Sequence, residues 1–309
     1  MPKPRIICIV GPTASGKSAL SVKLAKEIDA EIISADSMQV YRRMDIGTAK
    51  PTEEEMGQVT HHLIDIVDPD EEFNADQFRY TASKTIDQIQ ERGKGVIVAG
   101  GTGLYIRALT KGLVDTPEGD AKLREELQLE AERSGRENLH KKLHELDPGA
   151  AKRIHPNNVV RVIRAIEVAM KSGKTMSDYQ DDHAFGESPY EVMMLGIEIE
   201  REELYRRIEK RVDSMMERGL KGEVQKLLDL GYSRDLKPMR GVGYKEMCTH
   251  LLDDLPIEDA IDLIKRDSRR YAKRQMTWFR KEDVRWVKPE ELAGEEMAGE
   301  IMGFLAGKV

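Results

Sequence analysis

Residues 5–18 read Arg-Ile-Ile-Cys-Ile-Val-Gly-Pro-Thr-Ala-Ser-Gly-Lys-Ser. Residues 5–10 form a continuous apolar run behind Arg5, the pattern of a strand covered on both faces. The next eight residues, Gly11, Pro12, Thr13, Ala14, Ser15, Gly16, Lys17 and Ser18, match G-x-x-x-x-G-K-[ST]. A helical pattern follows from 17 to about 28. Strand, loop and helix in that order are the context a phosphate-binding loop requires. Its glycines let the backbone curl so that successive N–H groups point inward, and the helix N-terminus adds a dipole that favours an anion. Lys17 supplies a point charge, and the Ser18 hydroxyl can ligate Mg²⁺. ATP-binding and other nucleotide-binding proteins use such a loop, but the pattern does not say which phosphate compound is held.

Working outward, residues 31–34 read as a second short strand and 62–67 as a third extended segment. Residues 74–92 have helical spacing, with Phe78, Ile86 and Ile89 on one side and Gly93 as a stop. Residues 96–99 form another buried strand, closed by Gly100-Gly101. The alternation predicts an α/β fold, a P-loop-type parallel sheet with helices on both faces. The texture changes near Pro117. From there to about 170 only helical stretches appear, carrying Leu123 and Leu127, then Leu139, Leu143 and Leu146, then Val159, Val162, Ile163 and Ile166. Asp147-Pro148-Gly149 is a turn signal. These features predict a small all-helical insertion over 117–189, joined through the polar stretch 177–189. The catalytic core then comprises 1–116 and 190–309. Residues 192–199 read as a strand returning to the sheet, and the chain beyond 201 is largely helical until 284–287.

The composition fits a charge-rich globular protein of 309 residues, 39% hydrophobic and 34% charged. No segment approaches the ~18 consecutive apolar residues of a membrane span. The apolar run after Met-Pro-Lys-Pro-Arg is too short for a secretory segment, which predicts a cytoplasmic protein without membrane partners. Cys8 and Cys248 fit buried small hydrophobes better than a disulfide, and no cysteine–histidine spacing suggests zinc. The formal net charge of −7 argues against a general nucleic-acid binder but not against a local basic groove.

Asp36 lies just past the second strand, in Ser34-Ala35-Asp36-Ser37-Met38-Gln39-Val40-Tyr41. In open parallel sheets the C-terminal strand ends gather around the ligand, so Asp36 belongs near the phosphate loop. A carboxylate there can take a proton from an attacking amine, or it can cap a turn or bind Mg²⁺ through water; both readings stay open. Gln39 has the donor–acceptor pair suited to an adenine edge. An ATPase or kinase places an Asp after a buried strand to hold its Mg²⁺ shell. Here the strand at 96–99 ends in Gly100-Gly101-Thr102-Gly103, and Asp65 and Asp68 are weaker candidates. Residues 265–281 carry Lys265, Arg266, Arg269, Arg270, Lys273, Arg274, Arg280 and Lys281 against Asp267 alone, with Tyr271, Trp278 and Phe279 interleaved. Such a segment is either a solvated helix with its aromatics in the core or an RNA-binding face.

Read together, these motifs resemble the tRNA dimethylallyltransferase (isopentenyl-tRNA transferase) family. The matching segments are the phosphate loop, Asp-Ser-Met-Gln-Val-Tyr at 36–41, Asp-Ile-Gly-Thr-Ala-Lys-Pro at 45–51, His-His-Leu-Ile-Asp at 61–65 and Gly-Gly-Thr-Gly-Leu-Tyr at 100–105. Arg-Gly-Val-Gly-Tyr-Lys at 240–245 and Lys-Arg-Gln-Met-Thr-Trp-Phe-Arg at 273–280 complete the set. They run in order across nearly the whole chain. The resemblance implies transfer of a dimethylallyl group from dimethylallyl diphosphate to N6 of the adenosine 3′ of the tRNA anticodon, position 37. It makes Asp36 the general base, and Thr13 and Arg211 contacts to a diphosphate held with Mg²⁺ by the phosphate loop. It assigns Asp36, Ser37, Met38, Gln39, Thr102, Arg124, Val160, Arg161, Arg164, Arg240, Lys245, Lys273, Arg274, Gln275, Trp278 and Arg280 to the tRNA site.

Two positions depart from the family pattern. Val160 replaces the Gln of a Gln-Arg-x-x-Arg segment, and Gly241 stands where many members carry Cys. The chain has no C-terminal zinc finger of the eukaryotic kind, so the bacterial form is expected. It is expected to work as a monomer on the anticodon stem-loop. A P-loop small-molecule kinase is the alternative, and it gives no reason for the basic segment. Met215-Met216 reads as core filler rather than as a prenyl pocket.

Overall fold

The computed structural model describes residues 3–114, 116–183 and 188–307. Six parallel strands form one sheet: β1 (Arg5–Val10), β2 (Ala30–Ser34), β3 (His61–His62), β4 (Gly95–Gly100), β5 (Glu191–Ile197) and β6 (Arg285–Val287), in the order β3-β2-β4-β1-β5-β6. The apolar run of β1 is accounted for by its two faces. Successive side chains point to opposite sides, so Ile6, Cys8 and Val10 enter one core while Ile7 and Ile9 enter another. Both layers are sealed, and β1 sits between β4 and β5 with Ile9 opposite Ala99 and Leu195. The C-terminal strand ends therefore line up, and the phosphate loop and Asp36 emerge at the same end of the sheet, with β4 between their strands.

Several local readings change in the structure. Of residues 62–67 only His62, with His61 before it, pairs with the sheet, because Leu63 and Asp65 take left-handed φ of 62° and 55° that no strand can carry. Only the isolated bridge from Tyr41 to Val67 continues the extended path. Contacts divide the chain into Met1–Thr110 with Ser188–Val309, and Lys111–Glu187. The first junction thus falls ahead of Pro117, where Gly112, at φ 77°, follows the end of the helix Gly103–Lys111.

Within the helical unit, Leu127, Leu139, Leu143, Val162, Ile163 and Ile166 form the core, whereas Leu146 is left exposed. Asp147-Pro148-Gly149 opens the helix Pro148–Arg153 rather than making a bare turn. Asp147 caps it at Ala150 N (2.8 Å) and also accepts from Ser177 N (3.0 Å) and Oγ (2.5 Å). Part of the polar joint is likewise a helix, Met176–His183. Thr175 and Asp178 cap each other there, a signal hidden by the segment's polarity. Residues 184–187 of that joint lie outside the described residues.

The glycines closing β4 are demanded by close approach. A Cβ on Gly100 would lie 2.1 Å from the Ala35 carbonyl oxygen, and one on Gly101 would lie 2.1 Å from Gln275 Nε2. Gly100→Ala must push β2 and β4 apart at the site. It is expected to cost about 3 kcal/mol, the upper end for overpacking a core, read as a lower urea midpoint at unchanged m-value.

Candidate functional site

The phosphate loop joins β1 to the helix Lys17–Glu27. It curls through left-handed backbone at Ala14 (φ 62°) and Gly16 (φ 92°). A non-glycine residue at positive φ is uncommon, and Ala14 holds it at the cost of local strain. Gly16 is the N-cap and offers no side chain to the first helical amides, leaving them open to an anion. Lys17 Nζ donates to the Pro12 carbonyl at 2.7 Å and keeps its other protons for a ligand. Burial pushes the Lys17 ammonium down to about 8, the nearby Arg211 guanidinium adds to the shift, and Asp36 opposes it.

A cavity of about 360 Å³ opens beside this loop. Thr13, Lys17, Ser18, Asp36, Ser37, Met38, Gln39, Arg211, Arg240, Arg274 and Gln275 all line it, so eleven of the residues singled out in the sequence meet in one place. Gly11, Pro12, Ala14, Ser15 and Gly16 frame the loop behind its wall. Asp36 closes a turn and also faces the cavity. Its Oδ1 accepts from Met38 N at 2.8 Å and closes a turn, while Oδ2 has no hydrogen-bond partner among the described residues. Arg211 is anchored by donation from Nη2 to the Thr48 carbonyl at 3.4 Å, and burial lowers its guanidinium against the pull of Asp36. The cavity also has an apolar side, with Met38, Met215, Val242 and Ile264. Met215 is thus both core and cavity wall.

Other expected roles are redirected by the packing. Gln275 is buried; its Oε1 accepts from Thr13 N (2.8 Å) and its Nε2 donates to the Gly101 carbonyl (3.0 Å). It ties the phosphate loop to the end of β4, and it takes the Thr13 amide out of the anion cradle. Gln39 accepts from Ser34 Oγ (2.9 Å) and donates to the Ala49 carbonyl (3.2 Å), so its amide is spent on the 44–50 loop rather than free for a base edge. Thr102 accepts from Ser37 N (3.0 Å) and steadies the segment after Asp36 without lining the cavity. Trp278 packs on the main core with Arg107 4.7 Å from its ring centroid, and its buried indole N–H has no partner among the described residues. Phe279 is wholly buried.

The basic segment lies on the helix Ile257–Phe279. Lys265, Arg266, Arg269 and Arg270 pair with Asp213, Asp267, Glu209 and Asp267. Lys245, Lys273 and Arg280 are exposed and carry no ion pair among the described residues, Arg274 lies 5.6 Å over Tyr271, and Arg240 reaches Asp235 at 3.2 Å. The cationic face is therefore narrower than the composition implied. Tyr271 lines the cavity, and its hydroxyl is held well above the usual range by burial and by Asp36. A Cβ on Gly241 would come within 2.7 Å of Met38 Cε, so the departure from Cys makes room for that methionine.

In the helical unit, Glu167 is fully buried and was not anticipated. Arg124 binds it through Nε (2.8 Å) and Nη2 (3.0 Å), Arg164 Nη1 also pairs with it, and Asp120 N donates at 2.5 Å. Arg164 Nη2 closes onto Thr116 Oγ1 (2.8 Å) and the Pro117 carbonyl (2.7 Å). Arg164 is thus committed inside the unit, and Arg124 presents only its outer edge. Arg161 has no partner among the described residues, and Val160 is 77% exposed.

Other carboxylates suit a metal poorly. Asp65 pairs with Lys50 (2.5 Å) and Asp68 with Arg43 (2.8 Å). Among the described residues no group of three His, Cys, Asp or Glu side chains could hold a metal ion. Ser18 and Asp36 are oxygen donors that line the cavity by the loop. So sparse a set fits Mg²⁺, which keeps several waters and takes phosphate oxygens from its ligand. No helix among the described residues is long and apolar enough to cross a membrane.

The IPP transferase family model matches residues 39–282. The chain is 56% identical over 286 residues to tRNA dimethylallyltransferase 2 of Geotalea daltonii, covering 92% of this chain and 88% of that protein. It is 52% identical over 305 residues to the tRNA dimethylallyltransferase of Geobacter metallireducens, covering 98% of each. Among solved structures, the full-length tRNA isopentenylpyrophosphate transferase of Bacillus halodurans aligns at TM-score 0.72 and 46% identity, over 99% of this chain and 97% of that one. A eukaryotic dimethylallyltransferase acting on tRNA aligns at TM-score 0.81 and 29% identity, over 99% and 80%.

Two expectations follow from this geometry. Lys17 is charged below about 8 and neutral above it, and an anion favours the charged form. Calorimetry with inorganic diphosphate should show affinity falling about tenfold more from pH 7 to pH 9 for the parent than for Lys17→Arg, whose charge persists; parallel curves would remove Lys17 from the anion site. Arg164→Ala leaves Glu167 short of a partner. It should destabilise the helical unit by about 2 kcal/mol, seen as faster proteolysis within 111–187; unchanged cleavage would return Arg164 to the surface.

Proposed function

The chain belongs to the IPP transferase family, and from that premise we propose that it transfers a dimethylallyl group from dimethylallyl diphosphate to N6 of the adenosine 3′ of the anticodon, position 37, in tRNA. The reading is carried by one observation. A single cavity holds the phosphate loop, a second cation at Arg211, an apolar wall, and an Asp36 carboxylate with one oxygen uncommitted.

Each part has a chemical task. Lys17, the first amides of the helix Lys17–Glu27, the Thr13 side chain and Arg211 bind the diphosphate and stabilise the charge that grows on it as it leaves. Met38, Met215, Val242 and Ile264 shelter the prenyl chain from water. The adenine amine attacks the allylic carbon bonded to the diphosphate oxygen. As the new N–C bond forms, the C–O bond breaks and diphosphate departs with the bonding pair. The amine proton passes to Asp36 Oδ2. Mg²⁺, held by Ser18 together with phosphate oxygens and water, would neutralise further charge on the leaving group. The target base sits in the anticodon loop and must be turned out of its stack to reach the cavity. Arg240 and Arg274 at the cavity, with Lys245, Lys273 and Arg280, provide cations for the RNA backbone.

A small-molecule kinase shares the loop and the sheet. It lacks support here, because β4 ends in glycines where a carboxylate would be expected, and the relatives are prenyltransferases. The protein carries out this reaction in the cytoplasm as a monomer on this reading.

The decisive assay follows labelled dimethylallyl from its diphosphate into unmodified tRNA, with ATP hydrolysis measured beside it. Mg²⁺-dependent label without ATP turnover is expected, and phosphate release without label would reverse the assignment. Asp36→Asn should lower kcat by about 10³-fold, in the range for loss of a general base, while tRNA affinity stays within twofold. Retained turnover would remove Asp36 as the base.

A further inference from the structure

The segment 44–50 forms one wall of the cavity, through Gly47, Thr48 and Ala49. It belongs to no helix or strand, so something outside it must hold its shape. Glu223, in the first turn of the helix Leu220–Asp229, does so. Its Oε2 accepts from Asp45 N (2.9 Å) and Ile46 N (2.7 Å), and its Oε1 accepts from Gly47 N (3.1 Å) and from the Tyr244 hydroxyl (2.7 Å). Three consecutive backbone amides and one phenol converge on a single carboxylate. A carboxylate has about four acceptor positions and no donor, so the set is filled. An amide of the same shape would turn an NH₂ toward two of these donors.

Tyr244 is fitted to the same segment. Its ring is buried, and a Cβ on Gly47 would fall 2.5 Å from it. The held segment in turn positions Arg211, because that guanidinium donates to the Thr48 carbonyl. Gln39 binds the Thr48 and Ala49 carbonyls from the other side. Lys50, itself buried, closes the far end on the Tyr41 carbonyl (2.6 Å), Asp45 and Asp65. The chain of contact thus runs from Glu223 through three amides to the Thr48 carbonyl, Arg211 and the diphosphate end of the cavity.

We propose that Glu223 is a positioning residue for prenyl transfer, setting the place of Arg211 and the cavity wall by holding the 45–47 backbone. The inference rests on the transferase reading for its assay. Misplacing a contact group by about 1 Å can cost up to about a hundredfold in rate. Glu223→Gln is therefore expected to lower kcat/KM for dimethylallyl diphosphate at least about tenfold while the KM for tRNA moves less than about twofold. Tyr244→Phe keeps the ring and removes one of the four donors. It should show the same selectivity with a loss of about threefold, and it decides the matter alone if Glu223→Gln does not fold. A value for dimethylallyl diphosphate within about twofold of the parent in the folded variant would overturn the proposal, as would equal losses for both substrates, the mark of a merely structural role. The parent is assayed beside them. If it transfers no label, the function assigned above fails; if it transfers label as fast as the variant, only the role of Glu223 fails.

Discussion

One side chain near the end of the longest helix holds the site together. Gln275 accepts from the Thr13 amide and donates to the Gly101 carbonyl, bridging the phosphate loop and the end of β4. The Gly101 carbonyl is buried and the Thr13 amide partly so, and each would carry a desolvation penalty if left unpaired. The bridge is possible because Gly101 has no Cβ, which would stand 2.1 Å from the glutamine nitrogen. Gly100 beside it lets β4 lie against Ala35, and Asp36 is the next residue. The loop, the acid and the strand end are thus held in one frame by a glutamine and two glycines.

Charge within that frame is arranged so that an anion completes it. Lys17 and Arg211 face Asp36, and each cation is held below its usual range mainly by burial. Two cations close together in a cavity disfavour one another, and an anion placed between them would relieve both. Asp36 supplies partial compensation while keeping one oxygen uncommitted.

Elsewhere the abundant charges mostly serve structure. Four cations of the helix Ile257–Phe279 are paired with acids of their own surface. Arg124 and Arg164 satisfy the buried Glu167, a carboxylate that could not remain charged without them. A net charge of −7 is compatible with RNA binding because a few unpaired cations are gathered at the cavity and along one helix.

The sequence by itself determined the strand–loop–helix at 5–27, the parallel sheet and the helical character of the insertion. Each of these is written locally, as an apolar period, a glycine spacing or a capping pattern. It also marked Lys17 and Asp36 through their motifs, and Arg211 through the family resemblance. Only the tertiary structure decided what the polar side chains do once there. Gln275, Gln39 and Trp278 carry the composition of an RNA face, yet the fold gives each a partner of its own: Thr13 and Arg107 lie far away in sequence from Gln275 and Trp278, and Thr48 lies in the loop that follows Gln39. Glu223 gave no signal, because its role depends on amides 176 to 178 residues away. A motif records which groups are present. Whether a donor meets solvent, substrate or another part of the chain is settled by packing, since a buried polar group must find a partner wherever the fold brings one.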